Sequence, residues 1–407
     1  MMKCVELFAG AGGLAMGVGL AGFEPRAVVE WDKWACDTIR ENSATGYPLV
    51  AGWNVHEGDV RSFDWGSVGD DVDLVAGGPP CQPFSMGGKH KAHDDSRDMF
   101  PATVEIVRKL RPRAFIVENV KGLTRSSFAN YYQHILLQLT FPEIKRKTGE
   151  SWFDHFMRLQ AEQASGEAHG GGLTYNVLPT LVNAADYGVP QRRERVFIVG
   201  FRSDLGVEWS FPRATHSYEA LLHDQWVTGV YWERHRLSKR SRPAMPPNVA
   251  ARVRKLIADG ATLDSQPWRT VRDALVGLPD PESRSARAIP DHRFQPGARV
   301  YPGHTGSPLD LPAKTLKAGD HGVPGGENML VKDDGSVRYF TVRESARLQT
   351  FPDGFRFHGS WTETMRQLGN AVPVMLARTV ASSVAERLLI AEARDLARRT
   401  KRFRGTA

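Results

Sequence analysis

The chain has 407 residues, of which 41% are hydrophobic and 24% are charged, which is enough to bury a substantial core and to form two or more domains. Its formal charge of +7 and its pI near 9.3 favour an anionic partner such as nucleic acid. The three cysteines, Cys4, Cys36 and Cys81, have no CxxC spacing, which argues against a disulfide-stapled fold and against a bound metal ion.

Short apolar runs alternate with helix-like stretches from residue 3 to residue 200, which is the pattern of a sheet with crossover helices and predicts an α/β fold. The chain enters this pattern at once, and no apolar run reaches the length of a signal or membrane helix, so we expect a cytoplasmic protein. Most polar candidate residues follow the ends of the predicted strands. Those strands cover residues 4–8, 26–30, 72–76, 114–118, 176–182 and 196–201.

Two regions interrupt this alternation. Residues 141–172 are polar, contain one amphipathic helix and look like an insertion on the sheet. Residues 203–337 are rich in Pro, Gly and Arg, and periodic helices return at about 341–349 and 373–400. We therefore predict a catalytic domain from residues 1–202 and 338–407, and a smaller, irregular, mostly β domain from residues 203–337.

The first predicted strand leads into a glycine-rich turn, Ala9-Gly10-Ala11-Gly12-Gly13, and then into a helix of small residues at 14–21. Such a turn lets backbone N–H groups at a helix start approach a ligand, although tight packing explains these glycines about as often. The next strand ends in Glu30-Trp31, a carboxylate that suits two ribose hydroxyls and an indole that suits stacking on adenine. We therefore predict an adenosine-containing ligand at these two strand ends.

A third contribution to this pocket comes from Gly58-Asp59-Val60, where Asp59 is placed to accept a hydrogen bond from an adenine amino group. The alternative for this segment is a solvated turn that binds no ligand. No Lys, Ser or Thr completes a phosphate-binding loop after Gly13, so the ligand does not need a pyrophosphate. Adenosine without a pyrophosphate fits S-adenosylmethionine.

The predicted strand 72–76 is followed by Gly77-Gly78-Pro79-Pro80-Cys81-Gln82-Pro83-Phe84-Ser85, a stiff turn that holds one thiol at a strand end. A lone cysteine is usually a buried structural residue, which is the alternative here. Because Pro- and Gly-rich turns flank Cys81, we favour a nucleophile. The next strand ends in Glu118, whose carboxyl is costly to bury unless it has a partner or a task.

These stretches resemble the motifs of the DNA cytosine-5 methyltransferase family of bacterial restriction-modification type, and they follow one another in the family's order. One departure is Glu6, where the family more often has Asp, and it affects local hydrogen bonding only. The matching stretches are Leu7-Phe8-Ala9-Gly10-Ala11-Gly12-Gly13, Gly78-Pro79-Pro80-Cys81-Gln82-Pro83-Phe84-Ser85, Glu118-Asn119-Val120, Gln191-Arg192-Arg193-Glu194-Arg195, Arg343-Glu344-Ser345-Ala346-Arg347-Leu348-Gln349 and Gln367-Leu368-Gly369-Asn370-Ala371-Val372-Pro373.

The resemblance implies a Rossmann-like, S-adenosylmethionine-dependent catalytic domain and roles for four residues. Cys81 would add to C6 of a cytosine flipped out of the duplex, and Glu118 would engage N3 and the exocyclic amine. Arg195 would bind O2 with Arg193 nearby, unless these arginines are surface charges. C5 would take the methyl group, S-adenosylhomocysteine would remain, and β-elimination would release Cys81. The expected cofactor contacts are Phe8, Ala9, Gly10, Gly12, Gly13, Glu30, Trp31, Asp59, Val60, Pro79, Asn370 and Val372.

The resemblance also makes residues 203–337 the target-recognition domain and residues 86–91 a mobile lid, for which a plain solvated loop is the alternative. Residues 301–307 are a candidate base-replacing loop. We expect a monomer that acts on double-stranded DNA at the nucleoid, protects host DNA and has a cognate restriction endonuclease as its functional partner. The expected DNA contacts are Gln82, Ser85, Lys89, Thr315 and Leu316.

Three other functions compete with this interpretation. A tRNA cytosine methyltransferase of the same fold is the nearest, and the long region 203–337 favours DNA over it. A nicotinamide-dependent oxidoreductase would use the glycine turn and Glu30 but leaves Cys81, Glu118 and Arg195 unexplained. A catalytically silent DNA-binding protein would have no need of Cys81 and Glu118.

Overall fold

A computed structural model of the chain describes residues 1–80, 98–165, 172–260, 263–318 and 328–404. Its main sheet has seven strands, and the predicted α/β class is confirmed. The sheet is formed by β1 (Met2–Leu7), β2 (Phe23–Glu30), β3 (Val55–Glu57), β4 (Leu74–Gly77), β5 (Ala114–Val120), β6 (Tyr175–Asn183) and β7 (Glu194–Arg202), in the order β3-β2-β1-β4-β5-β7-β6.

The central strands are apolar because helices cover both faces of a parallel sheet. Every residue of β4 is buried, and β5 is buried up to its last residue. β1 pairs with β2 and β4 in parallel, and β4 pairs with β5 in parallel. The carboxyl ends of these four strands therefore meet at one edge, which we call the catalytic edge.

Strand β7 runs antiparallel to β5, so it begins where β5 ends. In this register Val120 lies opposite Arg195 and Glu118 lies opposite Phe197. The first residues of β7 are thereby brought to the catalytic edge, next to a strand that is distant in sequence.

Within the described residues, six helices lie wholly or mostly in the same compact unit as the sheet. Gly17 of the first packs against Ala377 of the last so closely that a Cβ on Gly17 would lie 2.3 Å from the Ala377 Cβ. Only glycine fits at that contact. These helices are α1 (Gly13–Leu20), α2 (Lys33–Ala44), α3 (Phe100–Leu110), α4 (Ala129–Thr140), α5 (Trp152–Ser165) and α12 (Val374–Arg404).

The chain divides into two compact units, of which the first, the sheet unit, comprises residues 1–182, 194–212 and 377–407. The second unit comprises residues 183–193 and 213–376. Its helices are α6 (Tyr218–His223), α7 (Val230–Arg234), α8 (Pro247–Asp259), α9 (Val271–Leu275), α10 (Val342–Leu348) and α11 (Trp361–Asn370), and its strands are β8 (His216–Ser217), β9 (Gln266–Pro267), β10 (Ser307–Pro308), β11 (Met329–Val331) and β12 (Val337–Tyr339).

The second unit differs in one respect from the mostly β character that we expected of residues 203–337. Its described residues contain more helix than strand, and the strands are two or three residues long. Helix α8 begins at the second of two consecutive prolines, Pro246 and Pro247. Proline suits the first position of a helix, but the surrounding Pro-rich sequence hides the helix start. None of the described helices has the length and apolar composition that a membrane crossing requires.

All six predicted strands form at the expected places, with ends displaced by up to three residues. The expected helices at 14–21, 341–349 and 373–400 correspond to α1, α10 and α12, and the polar segment 141–172 contains α5. The short strand β3 was not predicted, because its three residues, Val55–Glu57, show no apolar alternation.

Candidate active site

The loop after β1 has an unusual backbone. Phe8 has a φ of 54°, which is rare for a residue with a side chain, and Gly10 and Gly12 also have positive φ values. Gly12 precedes α1, and no side chain caps the start of that helix. The described residues provide no side-chain cap for the first N–H groups of α1, which leaves this helix start open to a ligand.

Glu30 connects this loop to the end of β2. Its carboxylate accepts hydrogen bonds from the backbone N–H of Gly10 at 2.7 Å and from those of Trp31 and Asp32 at 2.8 Å each. Burial raises the pKa of Glu30, while the three N–H donors act in the opposite direction. The side chain thus holds two loops of the expected cofactor pocket in place.

The structure brings the other expected adenosine contacts of the sheet unit to the same edge. Trp31 is 77% exposed, so its indole is available for stacking. The N–H of Gly58 donates to the Glu30 carbonyl at 2.8 Å, which brings the next two residues, Asp59 and Val60, beside β2. Val60 is buried, and its carbonyl accepts from Trp65 Nε1 at 2.8 Å.

Asp59 is already engaged by a cation. Arg61 Nε lies 3.0 Å from each of its carboxylate oxygens, and this contact lowers the pKa of Asp59. This ion pair is what we would expect of a solvated turn, which is the alternative interpretation of the segment. A ligand amino group would have to share this carboxylate with Arg61.

The ends of β5 and β7 bring together the two candidate base-binding residues. Arg195 Nε lies 2.9 Å from Glu118 Oε1, and the two residues are 9% and 7% exposed. Arg195 Nη1 also donates to the carbonyl of Glu194 at 2.8 Å, which fixes the direction of the guanidinium. A buried carboxylate and a buried cation thus offer an acceptor and a donor side by side.

The end of β4 lies against this pair. A Cβ on Gly78 would lie 3.2 Å from Glu118 Oε2, and Asn119 Nδ2 donates to the Pro79 carbonyl at 3.1 Å. Asn119 is thus a positioning residue, a role that the motif Glu118-Asn119-Val120 does not reveal in the sequence. Cys81, Gln82, Ser85 and Lys89 lie outside the described residues, and the chain reaches Cys81 two residues after Pro79.

The remaining predicted residues belong to the second unit, where most make internal contacts. Arg193 is fully buried and donates to the carbonyls of Leu316 at 3.3 Å and Gly369 at 2.8 Å. Thr315 Oγ1 donates to the Arg192 carbonyl at 2.7 Å. We therefore interpret Arg193 and Thr315 as positioning residues.

Leu316 belongs to the hydrophobic core of the second unit. The expectation that its side chain contacts DNA is therefore wrong. Leu316 is 1% exposed, because it packs with Val271, Phe340 and Leu348. The sequence could not show this, since a Thr-Leu pair in a Gly-rich segment has no periodicity that marks a buried position.

Two expected cofactor residues follow each other closely at the end of α11. Asn370 is exposed, whereas Val372 is buried. The carbonyl between them, that of Ala371, accepts from Gln349 Nε2 at 3.2 Å. Gln349 thus fixes the backbone of this motif from within the second unit.

Glu6 is the most unusual carboxyl of the sheet unit. It is 1% exposed as the second-last residue of β1, and neither of its oxygens has a hydrogen-bond partner among the described residues. Burial raises the pKa of Glu6 well above its usual range, which favours the neutral acid. The sequence predicts only a local change in hydrogen bonding at Glu6 and gives no sign of this burial.

The chain is similar to known proteins over nearly its whole length. A family described as C-5 cytosine-specific DNA methylase matches residues 2–142 and 171–386. The Type II methyltransferase M.PspPI of Psychrobacter sp. (strain TA137) is 30% identical, over 96% of this chain and 80% of that protein. M.NgoPII of Neisseria gonorrhoeae is 29% identical, over 95% and 96%. The solved structure of the S. pombe Dnmt2 methyltransferase has the same fold, with a TM-score of 0.53, 17% identity and 95% and 98% coverage.

Proposed function

As a member of the C-5 cytosine-specific DNA methylase family this chain is a DNA cytosine-5 methyltransferase, and we propose that it acts through covalent addition of Cys81 to a flipped-out cytosine. The observation that supports this mechanism best is the ion pair of Glu118 and Arg195 at the catalytic edge. Both groups are buried, and a buried ion pair is expensive to keep unless it has a task. Gly78 lies against Glu118, since a Cβ added to it would meet the Glu118 carboxylate, and Cys81 follows Gly78 by three residues.

Cytosine C5 is a poor nucleophile, so the protein must first add electrons to the ring. The Cys81 thiolate forms a bond to C6 while Glu118, in its acid form, gives its proton to N3 and then, as a carboxylate, accepts from N3–H and the exocyclic amine. Arg195 donates to O2. C5 is then alkylated, a base removes its proton, and the electron pair of that C–H bond expels Cys81 as thiolate. Glu118 recovers its proton from N3 when Cys81 leaves.

We propose S-adenosylmethionine as the methyl donor, with S-adenosylhomocysteine as the product. When bound, this cofactor supplies an electrophilic methyl group on its sulfonium. The residues present fit its adenosine portion: Glu30 is buried and organises the loop at Gly10, and Trp31 presents an exposed indole. The uncapped start of α1 offers N–H groups to the same ligand.

The biological setting follows from the relatives. M.PspPI and M.NgoPII are Type II methyltransferases, so we propose that this enzyme methylates one cytosine in a specific duplex sequence within a restriction-modification system. Methylation would protect host DNA from a cognate endonuclease. We propose that the enzyme acts as a monomer at the bacterial nucleoid.

The test is methyl transfer from labelled S-adenosylmethionine by the Cys81→Ser variant. Methylation of duplex DNA should be abolished while cofactor binding, measured by calorimetry, stays within about twofold, because the thiol acts on the base. Cys4→Ala is the matched control, since it removes a buried thiol from β1 and should retain turnover. Unchanged turnover in Cys81→Ser would disprove the mechanism. Methyl transfer by the wild-type enzyme to tRNA rather than to duplex DNA would show that the substrate is tRNA.

A further inference from the structure

The positive charge of this chain is concentrated in one short segment of the second unit. Residues 234–258 contain eight Lys or Arg residues and no Asp or Glu, whereas the whole chain carries a net charge of +7. The remaining residues taken together are therefore slightly acidic. We call residues 234–258 the basic segment. The net positive charge of the chain is thus no larger than the charge of this one segment, which is the kind of concentration that attracts polyanions.

Most of these cations are exposed and have no anionic partner. Arg234 lies 3.4 Å from Asp224, and Arg252 pairs with Glu219. The other cations form no ion pair within the described part of the chain. Among them, Arg242 donates a hydrogen bond to the Leu237 carbonyl. The exposed and unpaired members are Arg236, Lys239, Arg240, Arg254 and Lys255.

Helix α8 forms the second half of this segment and is held firmly on one side. Val249 and Val253 are buried and pack with Leu222 in a small hydrophobic cluster. The Arg252 guanidinium lies 5.1 Å from the centre of the Tyr218 ring while it pairs with Glu219. These contacts fix the orientation of the helix, so its opposite face is presented in a defined way.

The opposite face of α8 has the composition of a DNA-reading helix. At its centre lie Ala251 and Ala258, whose small side chains let the helix backbone approach a surface closely. Asn248, Arg254 and Lys255 flank them and are exposed. An Asn amide suits the N6 and N7 edge of adenine, and an Arg guanidinium suits the O6 and N7 edge of guanine.

We propose that α8 enters the major groove of the target duplex and reads bases with Asn248 and Arg254, while Arg236, Lys239 and Arg240 contact phosphates. The helix has 13 residues and is about 20 Å long, and the groove is about 12 Å wide, so its outward face can lie in the groove. The inference rests on the proposed function, because it assigns sequence recognition to the enzyme's own substrate. It goes beyond that function by naming the residues that determine which DNA sequence is methylated.

The base-reading half is tested by bisulfite sequencing of DNA methylated by purified Arg254→Ala and Asn248→Ala variants. Each should lose discrimination at a single base-pair position of the target by about 10- to 100-fold. Arg284→Ala/Arg287→Ala is the matched control, because both arginines are exposed in the same unit and form no ion pair with described residues. The control should keep the target of the wild-type enzyme.

The phosphate half is tested by the salt dependence of duplex binding. Arg236→Ala/Lys239→Ala/Arg240→Ala should weaken binding equally for all sequences and reduce the slope of log K against log salt by about 3. An unchanged slope would overturn this assignment. If Arg254→Ala and Asn248→Ala keep the wild-type target, or weaken all sequences equally, base reading by α8 is overturned. Failure of the wild-type enzyme to methylate duplex DNA would instead disprove the proposed function.

Discussion

The two units use charge in opposite ways. In the sheet unit the candidate reactive charges are few, buried and paired, as Glu118 is with Arg195. In the second unit the basic segment carries many exposed cations, of which five form no ion pair with any described residue. Buried charges interact strongly and depend on exact geometry, whereas exposed charges are screened by salt and tolerate change. Substitutions in the sheet unit should therefore change rates, and those in the basic segment should change affinity and its salt dependence.

The largest effect is expected for Glu118→Gln. The amide can still donate and accept, but it cannot supply a proton or carry the charge that balances N3, so methyl transfer should fall by about 10²–10⁴-fold. Single-turnover transfer from labelled cofactor measures this loss. Glu194→Gln is the matched control, because Glu194 is an exposed carboxylate of β7 paired with Lys121. An equal loss in both variants would contradict a chemical role for Glu118.

Arg193→Met tests whether a buried charge matters as much in the second unit as in the sheet unit, because Arg193 is buried in the second unit. Its removal leaves the Leu316 and Gly369 carbonyls without their donor, which should lower the free energy of unfolding by about 3 kcal/mol. Urea denaturation followed by circular dichroism measures the change. Arg192→Met, at an exposed neighbouring position, should change it by less than about 0.5 kcal/mol. Equal stability of the two variants would show that the buried contacts contribute nothing.

Glu30→Gln should weaken cofactor binding without altering the salt dependence of DNA binding. An amide has one acceptor oxygen, so it cannot serve all three N–H donors around Glu30, and affinity should fall by about tenfold. Calorimetric titration with S-adenosylhomocysteine measures it. Glu57→Gln, at the exposed end of β3, should leave the affinity unchanged. A tighter complex in Glu30→Gln would rule out this role.

The smallest effect concerns stability and pH at Glu6. Its folded-state pKa is raised by burial, so the folded protein binds one more proton than the unfolded chain once the pH exceeds the unfolded pKa of about 4.3. Stability is then lost as the pH rises towards the folded pKa. Glu6→Gln removes this dependence and should raise Tm at pH 8 by about 1–3 °C while leaving it unchanged near pH 4. A Tm difference that does not vary with pH would contradict the assignment.

The sequence predicted the strands and the residues at their ends because local apolar runs and turn residues mark both. The pairing of Glu118 with Arg195 was harder to foresee, since it depends on the antiparallel register of strands far apart in sequence. The burial of Arg193 and Leu316 could not be predicted, because an Arg-rich turn and a Gly-rich loop both have the composition of a surface. The start of helix α8 could not be predicted either, because the helix begins at Pro247 within a Pro-rich stretch.

The antiparallel pairing of β5 and β7 has a consequence for protein engineering. The hydrogen bonds between these strands align Val120 with Arg195, whatever chain connects them. The family match omits residues 143–170, which lie in that connection. A reporter or a second binding module inserted in this segment should leave Glu118 and Arg195 aligned, provided that the buried side chains of α5, Phe156 and Leu159, are kept.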